Sequence, residues 1–255
     1  MSMSPSTSAA VEVLRSRGWE IFGAPPAPVE FTGDAAPDAL LNDLDGYPHA
    51  FVVACVCDRQ DSAKRVWRIP YELGQRIGSN DFADWADLSE SEVAQAMAEP
   101  QPLHRYTNVM AVVVYRAVQR IAEDYAGDAS RLWRGSPSSA ALISGFLGFH
   151  GVGVKIASMA ANILVREMKV PVSDMAALDV SPDVHVQRVF GRIGLTGEGA
   201  SPEAIVYSAR SVSPDYPGVL DLGAWEIGRQ WCRPSAALCD ACYLGAACPR
   251  VGLAG

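Results

Sequence analysis

The sequence predicts an all-α fold on three grounds. Apolar residues recur at three- and four-residue spacing in several segments, which is the period of a helix with one buried face. Glycine and proline separate these segments. No convincing series of strands and no internal repeat of fixed period is present. The clearest periodic segment is residues 106–125, whose apolar positions include Val109, Val112, Val113, Ala117 and Ile121.

The N-terminal part contains two helix candidates and one ambiguous segment. Residues 9–17 predict a short helix, and residues 87–98 predict another because acidic side chains occupy its first turn. Residues 23–28 must be extended or turned, since each proline fixes φ and restricts the residue before it. The apolar run of residues 50–57 fits either a buried helix or a strand, because periodicity does not separate the two.

The C-terminal part contains the remaining predicted helices. Four further helices are predicted after residues 106–125. Each is indicated by helical spacing of its apolar residues and by glycine, proline or polar residues at its ends. They cover residues 136–149, 154–167, 184–193 and 202–211.

Length and charge limit the function. The 255 residues suffice for one large domain or two smaller ones. No run of about 18 apolar residues is present, so we expect no membrane span, and the polar N-terminus does not resemble a secretory signal. We therefore expect a cytoplasmic protein. The net charge of −8 argues against a nucleic-acid binder, but residues 105–255 carry 14 basic and 13 acidic side chains, so a surface for polyanions would lie there.

Four cysteines within 17 residues predict a metal centre. Cys232, Cys239, Cys242 and Cys248 have the spacing C-x6-C-x2-C-x5-C, and thiolates this close in sequence can bind one soft metal centre. Their spacing leaves iron–sulfur, zinc and two disulfides open, although structural disulfides are rare in the cytoplasm. Cys55 and Cys57 are separate, and we interpret them as small apolar core residues.

The segment around these cysteines resembles a known cluster loop. Residues 225–249, with the lead-in Gly228, Arg229 and Cys232, look like the C-terminal loop of the endonuclease III family of helix-hairpin-helix DNA glycosylases. The resemblance implies a 4Fe–4S cluster on the four cysteines. It also implies basic residues facing DNA phosphates, with Arg229, Arg233 and Arg250 as candidates, although exposed arginines are often merely solvated.

A Gly-x-Gly turn is the second point of resemblance. Residues 149–157 read FHGVGVKIA; glycines here allow close approach of a ligand, and the following helix offers free N–H groups to an anion. A plain turn between helices is the alternative. The segment is similar to the family's hairpin at five positions: Gly151, Val152, Gly153, Lys155 and Ala157. The resemblance implies that the first three bind DNA.

Lys155 is the candidate nucleophile. In the family, a lysine at this position marks enzymes that both remove the base and cut the strand. The implied role is attack by the neutral amine on the sugar C1′ to form a Schiff base. The alternative is a lysine that is solvated or only contacts phosphate, as expected in monofunctional members.

Asp183 is the candidate catalytic carboxylate. The segment SPDVHVQRVF resembles the family's signature of an aspartate followed by x-His, and a carboxylate stabilises positive charge on the sugar during base release. Asp183 also fits a helix N-cap, and Asp179 is the rival candidate. His185 fits the signature or a packing role. The segment between Lys155 and Asp183 is longer than in the family, which affects the expected pocket.

Gln60 is the candidate wedge. Removing a damaged base requires that its nucleotide leave the stack, and a side chain must then fill the gap. A glutamine after the first apolar helix has this role in the family, and Gln60 occupies the matching position. A surface glutamine at a helix end is the alternative.

Together these features predict two helical lobes. Residues 47–176 would form a helix-hairpin-helix barrel domain and residues 177–255 the iron–sulfur cluster domain, with residues 1–46 packing on the latter. The expected function is base-excision DNA repair with AP lyase activity, by a nucleoid-associated monomer on double-stranded DNA containing a damaged base. Oxidised pyrimidines are the default substrate by analogy. The alternatives are a monofunctional glycosylase for alkylated or deaminated bases and a non-catalytic DNA-binding iron–sulfur protein.

Overall fold

The computed structural model describes residues 3–253, which form α-helices and short helical turns without a strand. The all-α prediction is confirmed. The helices are α1 Pro5–Gly23, α2 Ala35–Asn42, α3 Pro48–Cys57, α4 Ala63–Trp67, α5 Ile69–Ile77, α6 Phe82–Ala86, α7 Glu90–Ala98, α8 Thr107–Asp124, α9 Ser139–Leu147, α10 Val154–Asn162, α11 Val184–Arg192, α12 Pro202–Val212 and α13 Asp221–Gln230. A π-helical turn, Ile163–Glu167, continues α10.

Every segment that the sequence predicted as helical contains a helix, and the ambiguous run is helical. Proline and the ensuing apolar residues form α3, in which all ten residues are buried. Helix α1 is longer than predicted because Ser4 caps it, accepting from the Thr7 N–H at 3.1 Å, and Pro5 starts its first turn. Helices α2, α4, α5, α6 and α13 were not predicted.

The described residues divide into two compact units. We call residues 26–137 and 141–172 the hairpin unit, and residues 3–25, 138–140 and 173–253 the cysteine unit. Residues 26–46, which were predicted to pack with the cluster domain, belong to the hairpin unit. The reason is that α2 buries Leu40 and Leu41 and packs against α3 and α5. Among residues 3–253, none of the helices combines the length and apolar character that crossing a membrane would require.

The core of the hairpin unit is built around α3. This helix packs against α5 and α8, and α8 packs in turn against α7. Cys55 and Cys57 are fully buried, and burial raises the pKa of Cys57 to about 12 and that of Cys55 as well. These two thiols are therefore protonated core groups, as predicted.

His49 makes this core sensitive to acid. Its ring is 2% exposed and lies edge-on to the rings of Tyr47, Phe82 and Trp85. Burial lowers the pKa of His49 to about 4, against about 6.5 in an unfolded chain. The folded state thus favours the neutral ring, and its contribution to stability is complete above about pH 6.5 and is lost as the pH falls towards 4.

We expect His49→Leu to remove that acid dependence. The wild type should lose about 3 kcal/mol of unfolding free energy from this residue between pH 6.5 and 4, in addition to the loss from its carboxylates. Urea unfolding of both proteins at pH 7, 5 and 4 measures the difference between the two curves. Parallel curves would show that His49 does not titrate in this range.

In the cysteine unit, α11 packs against α13 and α1 packs against α13. The contact of α11 with α13 is close because Gly228 faces His185: a Cβ added at Gly228 would lie 2.7 Å from the His185 Cβ. At the end of α1, the rings of Trp19 and Phe22 meet Tyr216 edge-to-face. The packing against α13 positions α11, which begins directly after Asp183.

Candidate functional site

A glycine turn joins α9 to α10 in the hairpin unit. Gly151 has φ 79°, a conformation that favours glycine, and Gly153 is the N-cap of α10 in an extended conformation. Gly153 has no side chain, so no side-chain cap covers the first N–H groups of α10. The start of an α-helix carries N–H groups without intrahelical partners and a positive dipole end, which together suit an anion.

Arginines from two other segments surround this turn. Arg59 donates to the Gly151 carbonyl at 2.5 Å, and Arg120 of α8 donates to the Gly148 carbonyl. A Cβ at Gly148 or Gly151 would lie within 3 Å of the guanidinium group above it, so a larger residue there would displace that arginine side chain. Arg116, also on α8, lies 3.2 Å from the His150 Nδ1. None of these three arginines was predicted as a site residue from the sequence. They place positive charge beside the predicted hairpin, although the protein as a whole is acidic.

Lys155 lies in the first turn of α10, as predicted. Its side chain is 45% exposed, and its Nζ lies 3.8 Å from the Asp58 Oδ2. Asp58 follows the last residue of α3 and is 14% exposed. The lysine therefore has a carboxylate partner within its own unit. This partner, Asp58, was not predicted from the sequence.

Gln60 lies exposed in the loop between α3 and α4. Its φ of 50° is unusual for a residue with a side chain and costs energy that the surrounding contacts must offset. Arg105 donates to the Gln60 carbonyl at 3.2 Å, and Asp61 accepts the Arg105 N–H at 2.9 Å. The exposed ring of Tyr106 lies beside them along an open groove. Arg105 and Tyr106 were not predicted as site residues.

Asp183 caps α11 in the cysteine unit. One carboxylate oxygen accepts from the backbone N–H groups of His185 and Val186, each at 2.8 Å. The N-cap interpretation is therefore correct, and it holds the carboxylate in one orientation. Lys155 and Asp183 belong to different units, and their predicted approach stays a prediction.

Asp179, the rival candidate for the catalytic carboxylate, forms an ion pair with Arg210. Asp179 is 6% exposed and binds Arg210 through both oxygens, each at 2.7 Å from a guanidinium nitrogen. This hydrogen bond to Asp179 raises the pKa of Arg210. Because both of its oxygens bind Arg210, the Asp179 carboxylate is poorly placed to act on a substrate.

The long segment before Asp183 is tied into the cysteine unit. Ser139 donates to Asp174 and accepts the Ala177 N–H at 2.9 Å, and the hydrogen bond from Ser139 lowers the pKa of Asp174. Further along, Leu178 and Val180 are fully buried. The extra residues thus form an anchored segment with its own core contacts.

The four clustered cysteines line one cavity of the cysteine unit. Burial, followed by the charge of neighbouring thiolates, raises the pKa of Cys242 and Cys248. Four thiolates would therefore repel one another here without a compensating positive centre. Arg192 donates to the Cys232 Sγ at 3.2 Å and compensates part of that charge. All six cysteines are free.

The donor set fits an iron–sulfur cluster by its chemistry. Four sulfurs around a shared cavity, with a guanidinium donor to one of them, match the ligands and hydrogen bonds that such clusters use. Within residues 3–253, no group of three or more His, Cys, Asp or Glu side chains is arranged to hold a metal ion. The case for a cluster, which is larger than a single metal ion, therefore rests on the cavity that the four cysteines share and on their thiol ligands.

Helix α11 connects the Asp183 cap to the cysteine loop. Arg188 donates to the Cys232 and Gly228 carbonyls at 2.5 and 2.7 Å. One turn later, Arg192 donates to the Arg233 and Pro234 carbonyls at 2.6 and 3.0 Å. Both were missed as site residues, although their spacing of four along a helix places them on one face.

The predicted DNA-facing arginines lie exposed at the edge of the same loop. The Arg229 guanidinium stacks over the Trp225 ring at 4.9 Å, and Arg233 is exposed immediately after Cys232. Arg250 lies 3.6 Å from the Asp240 carboxylate. The structure thus leaves Arg229 and Arg233 accessible at the surface of the cysteine unit.

Several solved structures share this architecture. The chain is similar to a trapped endonuclease III–DNA covalent intermediate, with 16% identity, a TM-score of 0.61 and coverage of 97% of each chain. It is also similar to a thermostable thymine-DNA glycosylase (16% identity, TM-score 0.63, covering 96% of this chain and 98% of that one) and to a DNA-3-methyladenine glycosidase from Bacillus halodurans (17%, 0.52, 89% and 90%). No protein-family model and no curated protein matches this chain by sequence. The chain has the fold of the helix-hairpin-helix DNA glycosylases.

Proposed function

We propose that this protein is a base-excision DNA glycosylase that also cuts the strand through a lysine Schiff base. The observation that carries the proposal is the turn between α9 and α10, where Lys155 follows an uncapped helix N-terminus flanked by Arg59, Arg116 and Arg120. This arrangement supplies an anion site and an amine on the same helix. Its partner would be double-stranded DNA with a damaged base, bound by a monomer.

The chemistry assigns one role to each residue. The neutral Lys155 amine attacks C1′ and the Nζ–C1′ bond forms while the glycosidic bond breaks. The base leaves with the electrons of that bond and takes up a proton, and the attached lysine nitrogen loses one. The Asp183 carboxylate stabilises the positive charge that develops on the sugar. The sugar ring opens as its oxygen takes up a proton, which gives the Schiff base. Loss of a C2′ proton then breaks the C3′–O bond, so that the 3′-phosphate leaves and the strand is cut.

DNA binding would use the hairpin surface and a wedge. The N–H groups at the start of α10 would receive a phosphate, Gly153 leaves open space for the DNA backbone, and Gly151 and Val152 would bind DNA from the turn beside it. Gln60 would enter the space left by the extruded nucleotide, since its loop is exposed and fixed by Arg105. Arg229 and Arg233 would contribute phosphate contacts from the cysteine unit.

We expect Arg116→Ala to weaken DNA binding in a salt-dependent manner. Removing one phosphate contact should reduce the slope of log K against log salt by about one. Arg134→Ala is the matched control, because Arg134 is an exposed arginine of the same unit that pairs with Asp128. Fluorescence anisotropy with an undamaged duplex at several salt concentrations gives both slopes. Equal slopes for the two variants would remove Arg116 from the interface.

The cysteine loop is proposed to hold a 4Fe–4S cluster on Cys232, Cys239, Cys242 and Cys248. Such a centre would fold the loop and place Arg229 and Arg233 at the protein surface. We expect Cys242→Ser to lose most of its iron and acid-labile sulfide and to unfold at a lower temperature than wild type, whereas Cys57→Ala should keep both metal and colour. Colourless wild-type protein with stoichiometric zinc would contradict the cluster.

A panel of duplexes, each with one damaged base, tests the whole proposal. We expect release of at least one base, with oxidised pyrimidines as the first candidates, and strand cleavage without added alkali. Release without cleavage would favour a monofunctional glycosylase; two of the similar structures are described as a thymine-DNA glycosylase and a DNA-3-methyladenine glycosidase. Binding without release of any base would leave a non-catalytic DNA-binding protein.

A further inference from the structure

The ion pair between Lys155 and Asp58 has no role in the chemistry described above. The Lys155 amine lies 3.8 Å from the Asp58 carboxylate. Positive groups surround this turn: Arg59 and Arg120 bind its carbonyls, although Arg120 is also paired with Asp124, and the start of α10 carries the positive end of the helix dipole. A lysine in that position gains from a negative partner, and Asp58 supplies it.

Asp58 is less exposed than an ordinary surface carboxylate, and its backbone is attached to the end of α3. It follows α3, whose ten residues are all buried, and its N–H donates to the Cys55 carbonyl at 3.0 Å. Its side chain is 14% exposed, whereas that of Lys155 is 45% exposed. The aspartate is therefore the shorter and more buried member of the pair, and the longer lysine side chain loses rotational freedom by approaching it.

We propose that Asp58 is a positioning residue for Lys155, which holds the amine at the start of α10 and takes up its proton when the amine becomes the nucleophile. The inference rests on the proposed lysine chemistry. In the transfer, one Nζ–H bond breaks and one Oδ–H bond forms, and the electron pair stays on nitrogen. The charged pair thus becomes a neutral amine and a neutral acid.

The separation of 3.8 Å suits a resting state. Direct proton transfer needs the two atoms at hydrogen-bond distance, and such distances commonly shorten when the substrate binds. With Asp58 serving the lysine within the hairpin unit, Asp183 has only the electrostatic role at the sugar. The two carboxylates therefore have separable effects on Schiff-base formation and on base release.

The test compares three variants in two measurements. Asp58→Asn removes the charge with little change of shape, Asp58→Glu restores it, and Asp84→Asn removes an exposed carboxylate on α6 of the same unit. The measurements are the single-turnover rate of borohydride trapping on a duplex with one abasic site and the Kd for that duplex. Thermal unfolding confirms that each variant is folded.

We expect Asp58→Asn to trap about tenfold more slowly or worse, with Asp58→Glu partly recovered and Asp84→Asn unchanged. The Kd of Asp58→Asn should be unchanged or tighter, because a negative charge has left a surface that faces phosphates. An ordinary surface ion pair would give tighter binding at an unchanged trapping rate, and this result would overturn the inference. So would a glutamate variant as slow as the asparagine one. Absence of any adduct with wild-type protein would overturn the proposed lyase chemistry first, and the inference with it.

Discussion

Lys155→Ala should abolish borohydride trapping on DNA that contains a damaged base or an abasic site. The covalent adduct requires a primary amine at the sugar C1′, and the proposed nucleophile is the one at the start of α10. The expected effect is a loss of at least about a hundredfold in the trapping rate, since removal of a nucleophile can cost up to roughly a millionfold. Denaturing gels of the reduced adduct measure it directly.

Two control variants separate the nucleophile from a phosphate contact. Lys155→Arg keeps the positive charge but cannot supply a neutral amine, so it should bind DNA normally and form no adduct. Lys64→Ala removes an exposed lysine of the same unit and should trap at the wild-type rate. If Lys155→Arg trapped as well as wild type, another amine would be the nucleophile, and Lys155 would have only its contact role.

Asp183→Asn should slow base release by about a hundred- to a thousandfold. The loss follows from removing a fixed negative charge beside the developing positive sugar. The substitution is informative because Asp183 also caps α11 through the His185 and Val186 N–H groups. Asparagine caps a helix about as well as aspartate, so the fold should be kept while the charge is lost. Single-turnover base release, measured after alkali treatment, gives the rate.

Asp179→Asn is the matched control for this experiment. It removes the negative charge and one of the two hydrogen bonds from Arg210, and it should lower the unfolding free energy by about 1–2 kcal/mol, since the arginine is partly exposed. Its rate of base release should stay close to wild type at a temperature where the protein is folded. A slow Asp179→Asn beside a normal Asp183→Asn would exchange the roles of the two aspartates.

The fold was predictable where helical period and end signals agree. Residues 184–193 combine that period with an aspartate cap, and α11 begins at Val184 as predicted. Two of the unpredicted helices contain proline or glycine, which weakens the helical signal in their sequence. Helix α2 contains Pro37 within a stretch rich in proline and glycine, and α13 contains Gly223 and Gly228, which suggest a break in sequence. In the structure, Gly228 instead allows close packing against His185.

The candidate site was predictable only for residues within a local motif. The glycine turn, Lys155, Asp183 and the cysteines each lie within a short pattern whose spacing has a physical meaning. The groups that surround them come from distant segments. Arg59 binds the carbonyl of Gly151, which is 92 residues away in the chain. Such pairs depend on the tertiary packing of α3, α8 and α10, which no single-sequence pattern specifies.

Helix α11 would make the proposed activity depend on the cell's supply of iron. Its first turn orients Asp183, and its last turns attach to the backbone around Cys232 through Arg188 and Arg192. Helix α11 has nine residues and moves as one body, so disorder in the cysteine loop at one end would also shift the Asp183 carboxylate at the other end. With the proposed cluster and the proposed glycosylase activity, starvation for iron or oxidative damage to the loop would then reduce base release in molecules whose reacting residues are all chemically intact. A fault in cofactor supply would thereby look, in a cell, like a mutation at Asp183.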